Sequence, residues 1–196
     1  MKVTDQTHEF SLPAPLPTNL QTGLLGPDAR VERSAKSIAQ MKDVFLDETA
    51  RSLMDPAILL YAVEYWRPVP DNTEGGLFWG NSTLYPGIVG EEYFMTRGHL
   101  HAQVNRAEFY STVSGTGMLV LMDEHRRGSV QHMEPGTTHY IPGHIAHRVV
   151  NTGDVPLTFL ACWPSDAGHD YASIENHGFS LRVLRREGSP FVLEQA

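Results

Sequence analysis

The sequence predicts an all-β chain, a sandwich or barrel of the jelly-roll kind, on three observations. Strand-like runs rich in aromatic and β-branched residues recur about every eight to twelve residues from Ile58 onward. The segments between them carry turn chemistry, as in Ser114-Gly115-Thr116-Gly117, Glu134-Pro135-Gly136 and Asn151-Thr152-Gly153-Asp154. The 196 residues include 17 Gly and 13 Pro, a supply of turns that suits many short strands and excludes coiled coil, collagen and wholesale disorder.

In chain order, Pro13, Pro15, Pro17 and Pro27 with Gly23 and Gly26 keep any long helix or central strand out of the first 33 residues. That segment reads as an extended arm over the surface or over a partner subunit. Ile38, Met41, Phe45, Leu53 and Met54 trace part of a helical face between Ser34 and Met54, stopped by Asp55-Pro56, which predicts one or two short helices. The run Leu59 to Trp66 is strand-like and closed by Pro68 and Pro70. Strands are expected near 58–66, 77–84, 92–95, 99–103, 107–114, 117–122, 128–133, 137–141, 146–151, 156–163 and 179–185. The length suits one barrel over residues 51–196 preceded by a Pro-rich arm and short helices over 1–50.

Composition excludes several function classes. Fifteen Lys plus Arg against 23 Asp plus Glu give a formal charge of −8, and no Lys/Arg block offers a surface for a phosphate backbone, so nucleic acid is not an expected partner. The longest apolar run, Ala57 to Val63, is too short to span a membrane, and the opening Met1 to Gln6 is too polar for a signal peptide. A single cysteine, Cys162, makes no internal disulfide and is read as packing; a reduced cytoplasm is the expected compartment. The surplus lies in the 10 histidines, nine of them between His99 and His177.

In Gly98-His99-Leu100-His101 the two histidines stand at i and i+2, which on a strand sends both imidazoles from one face. Six residues separate His101 from Glu108, which opens the next strand, and His147 follows Pro142 and Gly143 near the start of a later one. Three imidazoles and a carboxylate make a site of intermediate hardness, suited to Fe(II), Mn(II), Zn, Ni or Co rather than to calcium.

The frame around these residues resembles the two motifs of the cupin superfamily. Gly115 lies seven residues after Glu108, and Gly136, Pro142, His147 and Asn151 follow the second motif. His144 stands where that motif commonly has Gly, and the gap from His101 to Glu108 is longer than usual. The longer gap, Thr96 to His101, Arg106-Ala107-Glu108, Met133 to Thr137, Ala146-His147-Arg148, Val150 to Asp154 and above all Pro164-Ser165-Asp166-Ala167-Gly168-His169-Asp170-Tyr171 resemble the cupin-type glucose-6-phosphate isomerases first known from archaea. The likeness covers roughly residues 55–185 and not the Pro-rich arm.

That resemblance implies a cupin double-stranded β-helix and an aldose-ketose isomerase interconverting glucose 6-phosphate and fructose 6-phosphate in glycolysis and gluconeogenesis. It implies His99, His101, Glu108 and His147 as ligands of one divalent metal per subunit, Fe(II) first and Mn, Zn, Ni or Co as alternatives. Glu108 is also the implied catalytic base, a conflict in part, because coordination lowers carboxylate basicity. Tyr61, Ser82, Thr96, Gly98, His169 and Tyr171 are the implied sugar phosphate contacts, with Thr83 able to replace Ser82 if the strand slips by one residue. Arg97 is expected to point away from the inner face. Trp163 and His144 stand where the family commonly has Tyr; His144 is either a departure that costs a hydroxyl or a proton carrier lining the pocket. The family implies a homodimer. Two other readings compete: a noncatalytic or low-activity sugar-phosphate-binding cupin, and an Fe(II) cupin dioxygenase. His8, His125, His132, His139 and His177 are expected at surface or satisfied core positions.

Overall fold

The structure is a computed structural model that describes residues 12–175 and 177–195. Thirteen strands appear in chain order: β1 (Val31–Ser37), β2 (Leu59–Trp66), β3 (Leu77–Leu84), β4 (Ile88–Val89), β5 (Glu92–Tyr93), β6 (Glu108–Ser114), β7 (Gly117–Met122), β8 (Gly128–Met133), β9 (Thr138–Ile141), β10 (Ala146–Asn151), β11 (Leu157–Pro164), β12 (Leu181–Arg186) and β13 (Ser189–Glu194). A 3₁₀ turn (Ile38–Met41) and two short helices, α1 (Glu48–Leu53) and α2 (Ala172–Glu175), complete the described residues. The chain is the all-β barrel expected of it. One sheet runs β1-β2-β3-β11-β6-β9, a second β10-β7-β8 and a third β13-β12-β5-β4, and every pairing between strands is antiparallel.

The core lies between the inner faces of these sheets, where Leu60, Leu84, Phe94, Tyr110, Leu119, Val150, Leu157 and Phe159 are buried together. Period-two alternation sorts them: on β9, His139 and Ile141 are buried while Thr138 and Tyr140 are exposed. β7 and β10 are buried along their whole length; β7 reads as a continuous apolar run, whereas β10 buries His147, Arg148 and Asn151 among its apolar residues. The β6 to β7 turn depends on Gly115, at φ +76°, because a Cβ there would collide with the Pro156 carbonyl oxygen. Asn151 closes the matching corner, its amide donating to the Leu84 and Val155 carbonyls while its oxygen accepts the Gly153 N–H.

Three expectations need correction. Ser34 to Ser37 does not open a helix; it ends β1, which pairs with β2 over seven positions, because Val31–Ser37 is an exposed polar edge strand with neither apolar alternation nor apolar density to mark it. The strand expected at 99–103 is reduced to two single bridges, His99 with His147 and Leu100 with Asp170, and the chain then turns through Ala102 to Asn105. β13, α2 and the separation of β4 from β5 lay outside the expected elements.

The described part of the arm, from Leu12, lies without a named strand until β1. It is fastened at Arg30, whose carbonyl accepts the Arg67 N–H at 3.1 Å and whose guanidinium lies over Trp66, and around Glu64. Glu64 accepts the Leu25 N–H at 2.9 Å, the Asn81 amide at 2.7 Å and the Arg33 guanidinium at 2.7 Å, and Asn81 also donates to the Gly23 carbonyl at 2.8 Å. Burial pushes the Glu64 carboxyl up, but those three donors outweigh it and hold it below its ordinary value. His8 lies outside the described residues.

A carboxyl depressed on folding contributes stability above its unfolded pKa and loses that contribution as pH falls through the folded one. Glu64→Gln is therefore expected to cost about 1.5 kcal/mol at pH 7, the worth of hydrogen bonds to a buried ion, and the difference should shrink to nothing well below the ordinary Glu range near about 4.3. Urea denaturation of both proteins across pH measures this; a gap that stays constant with pH refutes it.

Candidate active site

The site is built around two backbone hydrogen bonds. His99 N–H donates to the His147 carbonyl at 3.1 Å and His147 N–H returns to the His99 carbonyl at 2.9 Å, so the two residues face each other across the barrel wall. Their rings meet edge to face with centroids 4.4 Å apart, and the ring of His101, two residues on, lies 5.5 Å from that of His99. Glu108 enters from the first residue of β6, whose register is set by pairing with Ile141 of β9. One ligand-type atom from each of His99, His101, Glu108 and His147 lies within 4.8 Å of all the others.

The orientation of these rings is fixed from behind. His101 Nδ1 lies 2.9 Å from the Arg106 carbonyl oxygen and His147 Nδ1 lies 3.2 Å from that of Ile145, which makes Nδ1 the protonated nitrogen of each and leaves Nε2 with its lone pair. Those two Nε2 atoms stand 3.3 and 3.1 Å from Glu108 Oε2. Together with His99 Nε2 they are buried without a hydrogen-bond partner, as is the Glu108 oxygen itself. Four convergent buried atoms left unpaired would cost a folded protein heavily, so this donor set fits a cation coordinated between them.

Electrostatics agree with that assignment. Burial, reinforced by the neighbouring imidazoles of His147, His169 and His101, drives His99 well below its ordinary value and keeps it neutral. Burial pushes the Glu108 carboxyl up, but positive charge beside it, which protonated His101 and His147 supply when no cation is bound, overcomes burial and holds it below the usual range. Against the burial of His101, Glu108 raises that imidazole in return. Tyr110, two residues along β6 and on the same face, is driven well above its usual value by burial and by the Glu108 carboxylate, so its hydroxyl stays protonated. Sequence reasoning passed over Tyr110, although its i+2 spacing from Glu108 was the signal.

Three of the four tetrad residues, His99, Glu108 and His147, line a cavity of about 550 Å³ together with Tyr61, Ser82, Thr96, Gly98, His169 and Tyr171, the six residues expected to hold substrate. Ser82 faces the cavity while Thr83 turns the other way, its hydroxyl 3.1 Å from that of Thr158, so the expected register holds without a slip. His169 stands edge to face with His99 at 4.4 Å and stacks on Tyr171 at 5.8 Å with an interplanar angle of 6°. Thr96 Oγ1 accepts the Val149 N–H at 3.0 Å, which anchors the segment before the histidines to β10.

Other positions depart from expectation. Arg97 lines the cavity instead of pointing away and pairs with Glu175 at 2.6 Å, because α2 brings a carboxylate over it. Trp163 lines the cavity edge-on to Phe78, centroids 5.9 Å apart. His144 is not a pocket residue: it is exposed on the turn before β10, at φ +65°, with its N–H bound to the Val104 carbonyl. Arg106 is held bidentately by Asp166, at 2.9 and 2.6 Å, which ties the loop that orients His101 to the segment that carries His169. Cys162 is half-buried, with burial raising its thiol above the usual value, as a packing residue requires.

Comparison with known proteins places this geometry. A family model described as glucose-6-phosphate isomerase matches residues 35–191. The glucose-6-phosphate isomerase of Thermococcus onnurineus (strain NA1) is 38% identical over 190 residues, 95% of this chain and 96% of that protein. The one from Pyrococcus horikoshii is 42% identical over 168 residues, 83% of this chain and 86% of that protein. Oxalate decarboxylase from Bacillus subtilis superposes with a TM-score of 0.43 at 23% identity, over 56% of this chain and 26% of its own. With its match running from β1 to the last strand and its relatives aligned over nearly their full length, the chain belongs to the glucose-6-phosphate isomerase family.

Proposed function

We propose that this protein interconverts glucose 6-phosphate and fructose 6-phosphate with one divalent metal per chain, Fe(II) by preference and Mn, Zn, Ni or Co as substitutes. The observation that carries the reading is the set of four buried, unpaired donor atoms of His99, His101, Glu108 and His147 at the floor of a cavity whose walls offer hydroxyls and a backbone N–H. A metal held there supplies Lewis-acid polarisation of the C1 and C2 oxygens of the open-chain sugar. Ser82, Thr96 and the Gly98 N–H bind the phosphate, and Tyr61, His169 and Tyr171 close the sugar phosphate site. Glu108, ionised, takes the proton from C2 of the aldose at a carboxylate oxygen and returns it to C1, while the hydroxyl proton moves from O2 to O1. Tyr110, held protonated beside Glu108, donates toward that carboxylate and steadies its orientation.

The proposed ligands and substrate contacts all lie in residues 51–196; residues 1–50 precede that segment but supply β1 to its six-stranded sheet and bring Ser34 and Lys36 to the cavity rim. No helix among the described residues is long and apolar enough to cross a membrane, and the lone cysteine suits the cytoplasm and a place in sugar phosphate metabolism. The assembly is a homodimer: β1 leaves one edge of the six-stranded sheet unpaired among the described residues, and Phe109 and Tyr140, rings 5.2 Å apart, are half exposed on its outer face.

Chelation of the purified protein is expected to abolish isomerisation, and Fe(II) or Mn(II) to restore it. His101→Ala and His147→Ala should each lose stoichiometric metal by elemental analysis. Full activity in metal-free protein overturns the metal dependence, and no turnover of either sugar phosphate by metal-loaded protein overturns the isomerase reading.

Glu108→Gln is expected to lower kcat by about 10²-fold to 10⁴-fold. With substrate deuterated at C2, the wild type should release label to solvent. Complete retention of deuterium in the ketose would mean a hydride shift and remove the base role from Glu108.

Light scattering is expected to give twice the 21.8 kDa chain mass. A monomer at micromolar concentration contradicts the dimer.

A further inference from the structure

Arg148 follows His147 in β10, yet the site as described gives it no task. It is 4% exposed. Among the described residues no carboxylate lies within 4 Å of it, whereas the nearby Arg182 is paired with Glu92 and Arg97 with Glu175. Its guanidinium lies over the Phe179 ring at 4.2 Å, its Nη1 meets Met95 Sδ at 3.0 Å, its Nη2 donates to the Arg97 carbonyl at 2.7 Å and its Nε has no partner. Burying a cation without a counter-ion is costly, and a mere link between β10 and the neighbouring loop needs only a neutral donor.

The one strong hydrogen bond that Arg148 makes falls on a telling peptide. The Arg97 carbonyl and the Gly98 N–H belong to the same planar trans unit and point in opposite directions. With the carbonyl drawn toward Arg148, the Gly98 N–H is turned the other way, and it has no hydrogen-bond acceptor among the described residues. Gly98 lines the cavity beside Thr96 and His99. Only glycine fits: φ is +76°, and a Cβ would sit 2.9 Å from Arg148 Cβ and 2.7 Å from the Phe179 ring.

We propose that Arg148 is the positioning residue of the phosphate subsite. Through the Arg97–Gly98 peptide it aims and polarises the Gly98 N–H at the substrate's phosphate dianion, and its own unpaired charge is what that dianion balances. Arg97 does not fill this role, since Glu175 already neutralises it at 2.6 Å. The inference rests on the sugar phosphate reading of the site and adds to it the source of the positive charge. A charge acting through a polarised peptide on a group remote from the reacting carbons contributes equally to ground and transition states, so it should appear in KM and not in kcat.

The test uses wild type, Arg148→Gln and Arg148→Lys, each loaded with diamagnetic Zn for the binding measurement and with Fe(II) or Mn(II) for the kinetics, with inorganic phosphate as the probe and the Gly98 amide resonance as the reporter. In wild type, phosphate should shift that amide saturably. Arg148→Gln should weaken phosphate binding and raise KM for glucose 6-phosphate by about tenfold, with kcat within about twofold and metal content unchanged. Arg148→Lys, which keeps the charge, should recover most of the loss. The proposal is overturned if Arg148→Gln binds phosphate as the wild type does, or if it loses kcat and metal in step with affinity. Should Arg148→Gln not fold, a Gly98 amide in wild type that ignores saturating phosphate overturns it equally. A wild type that binds phosphate at Gly98 but turns over neither sugar phosphate refutes the isomerase reading and leaves the subsite intact.

Discussion

The reciprocal pair of hydrogen bonds between His99 and His147 is the constraint on which the site depends. Without it the segment after Thr96 has no register, because the strand expected there amounts to two single bridges. With it, an imidazole from a loop and an imidazole from β10 are brought edge to face at 4.4 Å by main-chain bonds. The neighbouring bonds build outward from that pair. Thr96 is tied to Val149 on one side, and Leu100 exchanges hydrogen bonds with Asp170 on the other, so the segment bearing His169 and Tyr171 is registered against the same short stretch.

Orientation is a separate problem from position, and it is solved by carbonyls. Arg106 and Ile145 each present a main-chain oxygen to the Nδ1 of a site histidine, which selects the tautomer with Nε2 free. Arg106 does two jobs at once, because its side chain grips Asp166 while its carbonyl holds His101. The grip is partly exposed, so its worth lies in geometry more than in stability. It makes the loop that aims one imidazole and the loop that carries the cavity's outer aromatic pair move as one body.

The sequence was most legible where local pattern and burial agree. The runs at 77–84, 117–122, 128–133 and 146–151 end where β3, β7, β8 and β10 end, since glycines stand at or near their boundaries. β1 escaped because an edge strand in contact with solvent carries no apolar alternation: Glu32, Arg33, Ser34 and Ala35 are all exposed. The metal-type residues were legible because i, i+2 spacing on extended backbone survives even where the strand does not, so His99 and His101 converge although 99–103 is largely loop. Arg97 was misjudged for the opposite reason. Alternation along a strand predicted its direction, but no strand is there to enforce it, and Glu175 from α2 decides where it goes. His144 shows the same limit, since the left-handed turn residue it replaces commits the side chain to solvent and not to the pocket.

What no local pattern reveals is how charge is balanced across the cavity floor. The barrel buries Glu108 among three imidazoles and, one residue beyond His147, a guanidinium without a carboxylate partner. A neutral lone-pair donor and a cation thus stand on adjacent positions of one strand, and the alternation of β10 sends them to different faces, His147 to the tetrad beside Glu108 and Arg148 toward Phe179 and the Arg97 carbonyl. Side by side on one face they would place the guanidinium against a site built to take a cation, and each would weaken the other. Separated by the strand itself, one face is left with unpaired lone pairs and the other with unpaired positive charge, a polarity that suits a ligand bearing electropositive metal contacts at one end and a dianion at the other. The two ends of an open-chain sugar phosphate differ in that way. The period of β10 therefore keeps the guanidinium of Arg148 off the face that carries the metal-type residues, which is the separation the proposed role of Arg148 requires.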